Sequence, residues 1–355
     1  MARARPPSAP TPGPANPTEP PGPGRKNEPR TNASSIRRKQ PAPVSTGNSW
    51  LWTRPIESSP YPLAWVPAGT EPRDSTIRLM GGAMAVLLLS AYVIVTPTIN
   101  SAVTYVGYWL NPGQATWAEY TATASSFGTV WGVLGAHLGL AAMALVVWVL
   151  FRFFNHRRAE WLWSVSPGVR WRYGFLCFLA ALIIVGAVAV YHWVTGPGWA
   201  ALPGWGWYAL VLVVTTPLQA LAEEVMFRGY LMQALGSIVR NVWFPILASA
   251  VIFAVFHGMQ NPWLFGSRLV FGILAGILVW RTGGLEASIA IHVVNNLCAF
   301  GLALLTGTLS QVRETTAVPW TQSVSDVVMF AVCAVACWGI ALGLRVPMKA
   351  GKVAP

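Results

Sequence analysis

The chain has 355 residues, of which 54% are hydrophobic and only 10% charged, against about 25% charged in soluble globular proteins. That excludes an ordinary soluble domain and points to an all-α, polytopic integral membrane protein. A formal net charge of +12 does not imply nucleic acid here, because the basic residues lie in the N-terminal tail and between apolar blocks, where cytoplasmic loops carry them.

Residues 1–74 hold 17 of the 28 prolines, with Gly, Ser and scattered Arg and Lys. Such a segment buries too little apolar surface to offset its ordering entropy, and it is expected to be a disordered cytoplasmic tail. It has no early apolar run of the secretory-signal type, so no cleavage is expected there. Its basic run Ile36–Lys39 reads as solvated tail, or as a contact for anionic lipid.

Eight apolar blocks follow, at about 77–97, 128–151, 173–194, 208–227, 243–260, 263–280, 285–305 and 324–344. Roughly 20 helical residues cross a hydrocarbon core of about 30 Å, so about eight transmembrane helices are predicted. Residues 75–200 form an N-terminal group, 201–310 a core, and 311–355 the last helix with a short tail. Arg73 and Arg78 precede the first helix; Arg152, Arg157, Arg158, Arg170 and Arg172 lie between the second and third; Arg228 and Arg240 follow the fourth. Arg281 follows the sixth, and Arg345, Lys349 and Lys352 follow the eighth, whereas 98–127 and 195–206 contain neither Lys nor Arg. This alternation puts both termini in the cytoplasm. Arg268 and Arg313 fall on the other side of the scheme. The tryptophans near block ends, Trp109, Trp117, Trp205 and Trp207 among them, read as interfacial anchors. Cys177, Cys298, Cys333 and Cys337 all lie in apolar stretches without C-x-x-C spacing and read as packing residues.

The polar residues inside the blocks are few. The fourth carries Glu223, Glu224 and Arg228 as E-E-x-x-x-R, the fifth Phe253 and His257 as F-x-x-x-H, and the seventh His292 and Asn296 as H-x-x-x-N. Ionisable groups at membrane depth cost at least about 2.5 to 3.5 kcal/mol each on insertion scales, which makes such a cluster a functional candidate. Glu224 and Arg228 are four residues apart and can pair on one helix face, whereas Glu223 points about 100° round the helix. His292 and Asn296 share a face by the same spacing. If the fourth helix runs on to about Ser237 and the fifth starts near Val242 at that raised level, then Glu223, His257 and His292 lie about 8, 10 and 11 Å inside one interface. The three motifs then share a depth.

The motifs "EEVMFR", "FAVFH" and "HVVNN" resemble, in order, those of the CAAX-protease and bacteriocin-processing (Abi) family of intramembrane proteases, related to the type II CAAX prenyl endopeptidases. The resemblance covers roughly residues 205–305. It implies an endopeptidase acting on membrane-associated peptides or proteins, CAAX-like or peptide precursors, with Glu223 as general base, His257 holding the water, and His292 and Asn296 donating to the oxyanion. Glu224 is left as a structural carboxylate or a sharer in catalysis. No cofactor is required on that reading, and a cavity open to the cytoplasm is implied because hydrolysis consumes water. A zinc version would use Glu223, His257 and His292 as ligands with Glu224 as base, although no H-E-x-x-H spacing supports it. The partners implied are the bilayer and a membrane-associated substrate. Compositional bias toward Ala, Gly, Pro, Trp and Arg points to a bacterial plasma membrane.

Other readings use the same residues. Glu223, Glu224 and Arg228 are also what a packing ion pair needs, His257 before Gly258 can cap a helix, and His292 with Asn296 can join helices. A proton- or cation-coupled transporter would relay through the carboxylates and histidines, but residues 75–200 hold no second E-E-x-x-x-R of the kind that repeats would supply. A non-catalytic scaffold or immunity protein would keep the fold alone. Gly272 and Gly276 suit close helix packing, Glu286 and Asp326 suit interfacial helix ends, and His137 and His192 have no assigned role.

Overall fold

A computed structural model of the protein describes residues 55–66 and 74–351, apart from 112, 114, 115, 197, 260 and 315–317. Among the described residues there are no β-strands, only two isolated bridges, Pro60 with Lys349 and Ser164 with Gly284. The helices are α1 (Ser75–Leu110), α2 (Trp117–Ser125), α3 (Val130–Val149), α4 (Glu160–Trp163), α5 (Trp171–Thr195), α6 (Trp205–Glu224), α7 (Met232–Ile238), α8 (Trp243–Phe256), α9 (Pro262–Thr282), α10 (Glu286–Leu305), α11 (Gln311–Glu314) and α12 (Trp320–Gly343). Two π-helical segments extend them, Leu150–Phe154 after α3 and Val225–Leu231 between α6 and α7.

Seven continuous helices are long and apolar enough to cross a membrane: Ser75–Leu110, Val130–Phe154, Trp171–Thr195, Trp205–Ile238, Pro262–Thr282, Glu286–Leu305 and Trp320–Gly343. The protein is an all-helical integral membrane protein. The fifth predicted span is shorter than expected. Helix α8 has 14 residues, about 21 Å at 1.5 Å per residue, because the chain turns at Gly258, whose φ of 96° suits glycine, and restarts at Asn261. The Asn261 side chain caps α9 by accepting from the amides of Trp263 and Leu264. The resulting α8–α9 hairpin is close-packed at the expected small residues. A Cβ on Gly272 would stand 2.9 Å from the Cβ of Ala250, and one on Gly276 would stand 2.9 Å from Ile246.

The first predicted span also differs, since α1 continues through Pro97 to Leu110 rather than ending near 97. Lone prolines inside membrane helices are tolerated where neighbouring groups satisfy the freed carbonyl. The fourth helix continues past Arg228 to Ile238, beyond the apolar block that ends near 227 and close to the expected end at about Ser237.

Most of the tail expected to be disordered, residues 1–54 and 67–73, lies outside the described residues. Residues 55–66 correct that expectation, because they form a packed strap with a 3-10 turn at Tyr61–Leu63. Tyr61, Trp65 and Val66 are fully buried in the main core. Aromatic and aliphatic side chains outweigh the local proline content. The Tyr61 hydroxyl donates to the Leu162 carbonyl, Arg157 Nη1 donates to the Ala64 carbonyl at 2.6 Å, and the Trp65 and Tyr230 rings meet edge to face at 5.2 Å. Burial pushes the Tyr61 phenol up and the Arg157 guanidinium down to about 10. Near neutral pH the phenol is therefore neutral and the guanidinium charged, as the two hydrogen bonds require.

The other end of the chain closes onto the same region. Ser58 N–H donates to the Ala350 carbonyl at 2.8 Å, and Ala350 N–H to Ser59 at 3.0 Å. Glu286, expected near an interfacial helix end, is the first residue of α10; it is buried there and receives Arg170 at 2.5 and 2.9 Å. The Arg170 guanidinium also donates to the Thr282 carbonyl at 2.7 Å, so one ion pair ties the starts of α5 and α10 to the end of α9.

Candidate active site

The E-E-x-x-x-R motif sits where α6 gives way to the π-helical segment Val225–Leu231. A π segment widens the helix locally and re-aims side chains, and such segments are frequent at functional sites. Arg228 lies within it, and its Nη1 donates to Glu224 Oε1 at 2.7 Å with both side chains fully buried. The guanidinium also lies against two aromatic rings, 4.1 Å from the Phe253 ring centre and 5.3 Å from that of Phe271. Arg228 is thus enclosed by protein rather than placed at an interface. The ion pair and the rings offset the cost of burying it.

Glu224 Oε1 accepts a second bond, from Nδ1 of His292 on α10, at 2.8 Å. That contact turns the other ring nitrogen, His292 Nε2, toward Glu223 Oε2 at 3.4 Å. His257 arrives from the end of α8. Its backbone amide caps the helix, as the plain reading required, and its Nδ1 contacts the Phe253 carbonyl at 2.8 Å. Its Nε2 is thereby aimed at Glu223 Oε2, 3.7 Å away. Three motifs from three helices meet at one carboxylate oxygen, and Phe253 packs against Phe227, Phe271 and both imidazoles.

The hydrogen-bond logic is restrictive. Glu224, held by Arg228, is an acceptor, and so is the Phe253 carbonyl, so each Nδ1 carries the proton. In the neutral imidazoles both Nε2 atoms then present lone pairs toward Glu223 Oε2, which makes no hydrogen bond of its own. Three acceptors face one point, which suits a bound water, a protonated imidazole or a cation.

Asn296, one turn beyond His292, donates from Nδ2 to Gln219 Oε1 at 3.1 Å, and its Oδ1 accepts from Asn295 at 3.2 Å. Gln219 had no assigned role, yet it is four residues before Glu223 on the same helix face, and that spacing was the available signal. Arg268 was also missed. It donates from Nη1 to the His257 carbonyl at 2.6 Å, holding the turn that presents the imidazole. Its place on the Lys- and Arg-poor side was the clue. His137, on α3, comes to the same space with its Nδ1 2.8 Å from Thr215 Oγ1. Tertiary packing alone brings it there.

Glu223, His257, His292, Asn295, Asn296 and Gln219 line one cavity of about 600 Å³, which extends toward Phe127, Val312 and Gln322. His257 keeps 26% of its side chain exposed, enough for contact with water, whereas Glu224 and Arg228 have none. Among the described residues, no group of three or more His, Cys, Asp or Glu side chains is gathered as metal ligands would be. The donor chemistry is nonetheless that of a carboxylate and two imidazoles whose second nitrogens are already engaged, which suits a divalent cation chemically.

Residues 204–298, which contain all six candidate residues, match the family model of Rce1-like type II CAAX prenyl endopeptidases. The resemblance read from the three motifs holds over that segment. A curated relative, the uncharacterized protein YyaK of Bacillus subtilis (strain 168), is 29% identical over 168 residues, covering 43% of this chain and 56% of YyaK. The chain thus spans little more than half the length of that relative.

Proposed function

We propose that this chain, similar to the type II CAAX prenyl endopeptidases over residues 204–298, is an intramembrane endopeptidase in which Glu223 activates water against a peptide bond of a membrane-associated substrate. The observation that carries the reading is the contrast between adjacent carboxylates. Glu224 is consumed by Arg228 and His292 Nδ1, while Glu223 Oε2 faces the cavity and two imidazole nitrogens. Glu223 lines the cavity and Glu224 does not, so Glu223 is the carboxylate placed to take a proton from water there.

In this reaction a water held between Glu223 and His257 Nε2 loses a proton to Glu223 as its oxygen attacks the carbonyl carbon. The negative charge that develops on the carbonyl oxygen needs donors. His292 supplies one from Nε2 in the form of its imidazole that carries a proton on both nitrogens, with Nδ1 donating to Glu224. Asn296 supplies the second, because its amide has two hydrogens and Gln219 occupies one. When the carbon–nitrogen bond breaks, the proton on Glu223 passes to the departing amine. A divalent cation, if bound, would be held by Glu223, His257 and His292 and would supply Lewis-acid activation of water.

The basic residues at the 150–172, 240, 281 and 345–349 ends support a cytoplasmic assignment of that face and of both termini. The compositional bias toward Ala, Gly, Pro, Trp and Arg supports a bacterial plasma membrane as its location. The reading is tested by comparing the peptides of a null strain with those of strains carrying wild type or Glu223→Ala. Peptides cut only by wild type bear it out, and identical peptide sets in all three refute it.

A further inference from the structure

We infer that the catalytic cluster is reached from the Lys- and Arg-poor face of the membrane, so that its substrate is an apolar peptide segment presented outside the cytoplasm rather than a cytoplasmic chain terminus. The inference deepens the proteolytic reading and rests on it for the word substrate, but not for the direction of access.

Two independent observations carry it. First, the cavity lies between the cluster and one end of the helices. On α10, His292 is six residues from Glu286, about 9 Å, and thirteen from Leu305, about 20 Å. The cavity continues along the longer stretch, past Asn296 to Phe300. It is joined by His137, in the first half of α3, and by Gln322 and Asp326, in the first two turns of α12. Phe127 and Val312, from the connections before α3 and after α10, complete that end. These connections belong to the face where 98–127 and 195–206 hold no Lys or Arg and where Arg268 and Arg313 are the exceptions. By the distribution of positive charge, that face is extracytoplasmic.

Second, the opposite face is closed. Every residue from Ala222 to Ala234 is buried. The strap 55–66 lies over α7 so closely that a Cβ on Gly236 would overlap the Pro62 carbonyl oxygen. Residues 155–165 complete the cover, through Tyr230 donating to Asn155 at 2.7 Å and Tyr61 to Leu162. Arg157, Arg158, Arg170, Arg281 and Arg345 all belong to this closed side. A cytoplasmic opening, the expectation from the sequence, would have to pass through this layer.

The occupant's chemistry follows from the walls. Tyr92, Phe256, Phe271, Phe300 and Phe330 offer aromatic surface, and the cavity is of a size that buries a few side chains. Asp326 and Gln322 give the approach from the Lys- and Arg-poor face a polar edge.

The test uses the full chain in right-side-out and inside-out membrane vesicles and a membrane-impermeant maleimide bearing polyethylene glycol. Val312→Cys and Gln322→Cys are compared with Glu160→Cys on the basic face, and the unsubstituted chain supplies the background from Cys177, Cys298, Cys333 and Cys337. Val312→Cys and Gln322→Cys should be modified in right-side-out vesicles, and Glu160→Cys only in inside-out ones. Modification of the first two solely from the Glu160 side, or from neither side before detergent is added, overturns the inference. Modified Val312→Cys should also lose at least tenfold in cleavage of a peptide that the unmodified variant cuts. Undiminished cleavage would show that the route lies elsewhere and would equally overturn it. If the unmodified protein cuts nothing, the proteolytic reading falls, while the labelling pattern still decides from which side the cavity is entered.

Discussion

Glu223 and His292 approach to 3.4 Å, Oε2 to Nε2, across helices 69 positions apart in the chain, and the same imidazole is bound through Nδ1 to the neighbouring carboxylate of Glu224 at 2.8 Å. One ring therefore separates two chemically identical side chains into a held carboxylate and a free one. The first prediction comes from that separation. Glu223→Gln should lower peptide cleavage by about 10²- to 10⁴-fold, the usual worth of a positioned base, with little change in unfolding temperature. Equal loss of activity and of stability would mean that Glu223 is a packing residue.

Glu224→Gln should behave differently, because it leaves Arg228 charged and fully buried without a counter-ion. Removing one partner of a buried pair costs about 3 to 5 kcal/mol. Thermal unfolding in detergent should show that loss, and the double variant Glu224→Gln/Arg228→Met should recover part of it. A double variant less stable than both single variants would show that the pair is not what holds this helix.

The contrast explains what could be read beforehand. Four-residue spacing put Glu224 with Arg228 and His292 with Asn296 on common faces, and both groupings hold at 2.7 Å and within one cavity wall. Helix rise alone set the three motifs at one depth. Nothing in the composition signals the π-helical segment Val225–Leu231, because a helix widens in response to tertiary packing rather than to residue propensity. The strap was hidden for the opposite reason. Its prolines at 55, 60 and 62 look like those of the tail, and only the neighbours of Tyr61 and Trp65, remote in sequence, make it part of the core. Arg268 looked misplaced by the charge rule and is in fact directed to the His257 carbonyl.

The strap makes its own prediction. Gly236→Val places a branched side chain where the Pro62 carbonyl lies, and overpacking of this kind costs about 1 to 3 kcal/mol. Amide exchange in residues 55–66 should accelerate in that variant while α8, α9 and α10 stay protected. Unchanged exchange in the strap would mean that its contact with α7 contributes nothing.

Metal dependence separates two uses of one constellation. The three acceptors that meet at Glu223 can be satisfied by a water that gives up a proton as it attacks, and that reaction survives chelation. Cleavage by protein freed of divalent metal should therefore match that of untreated protein. Complete loss, restored by one equivalent of zinc, would transfer Glu223, His257 and His292 from base and water-holders to ligands.

The Gln219–Asn296 bond, 3.1 Å from Oε1 to Nδ2, makes the last separation. If one amide hydrogen of Asn296 is anchored so that the other can meet the developing oxyanion, Asn296→Ala should lower kcat by about 10²- to 10³-fold with KM nearly unchanged, because the lost interaction exists only in the transition state. Gln219→Leu removes the anchor and leaves the donor, so its loss should be smaller, about tenfold. Gln219→Glu keeps an acceptor facing Asn296 and should restore much of the rate. Were Gln219→Leu to raise KM and leave kcat untouched, the residue would be shaping the cavity for substrate and Asn296 would have to be oriented through Asn295 instead.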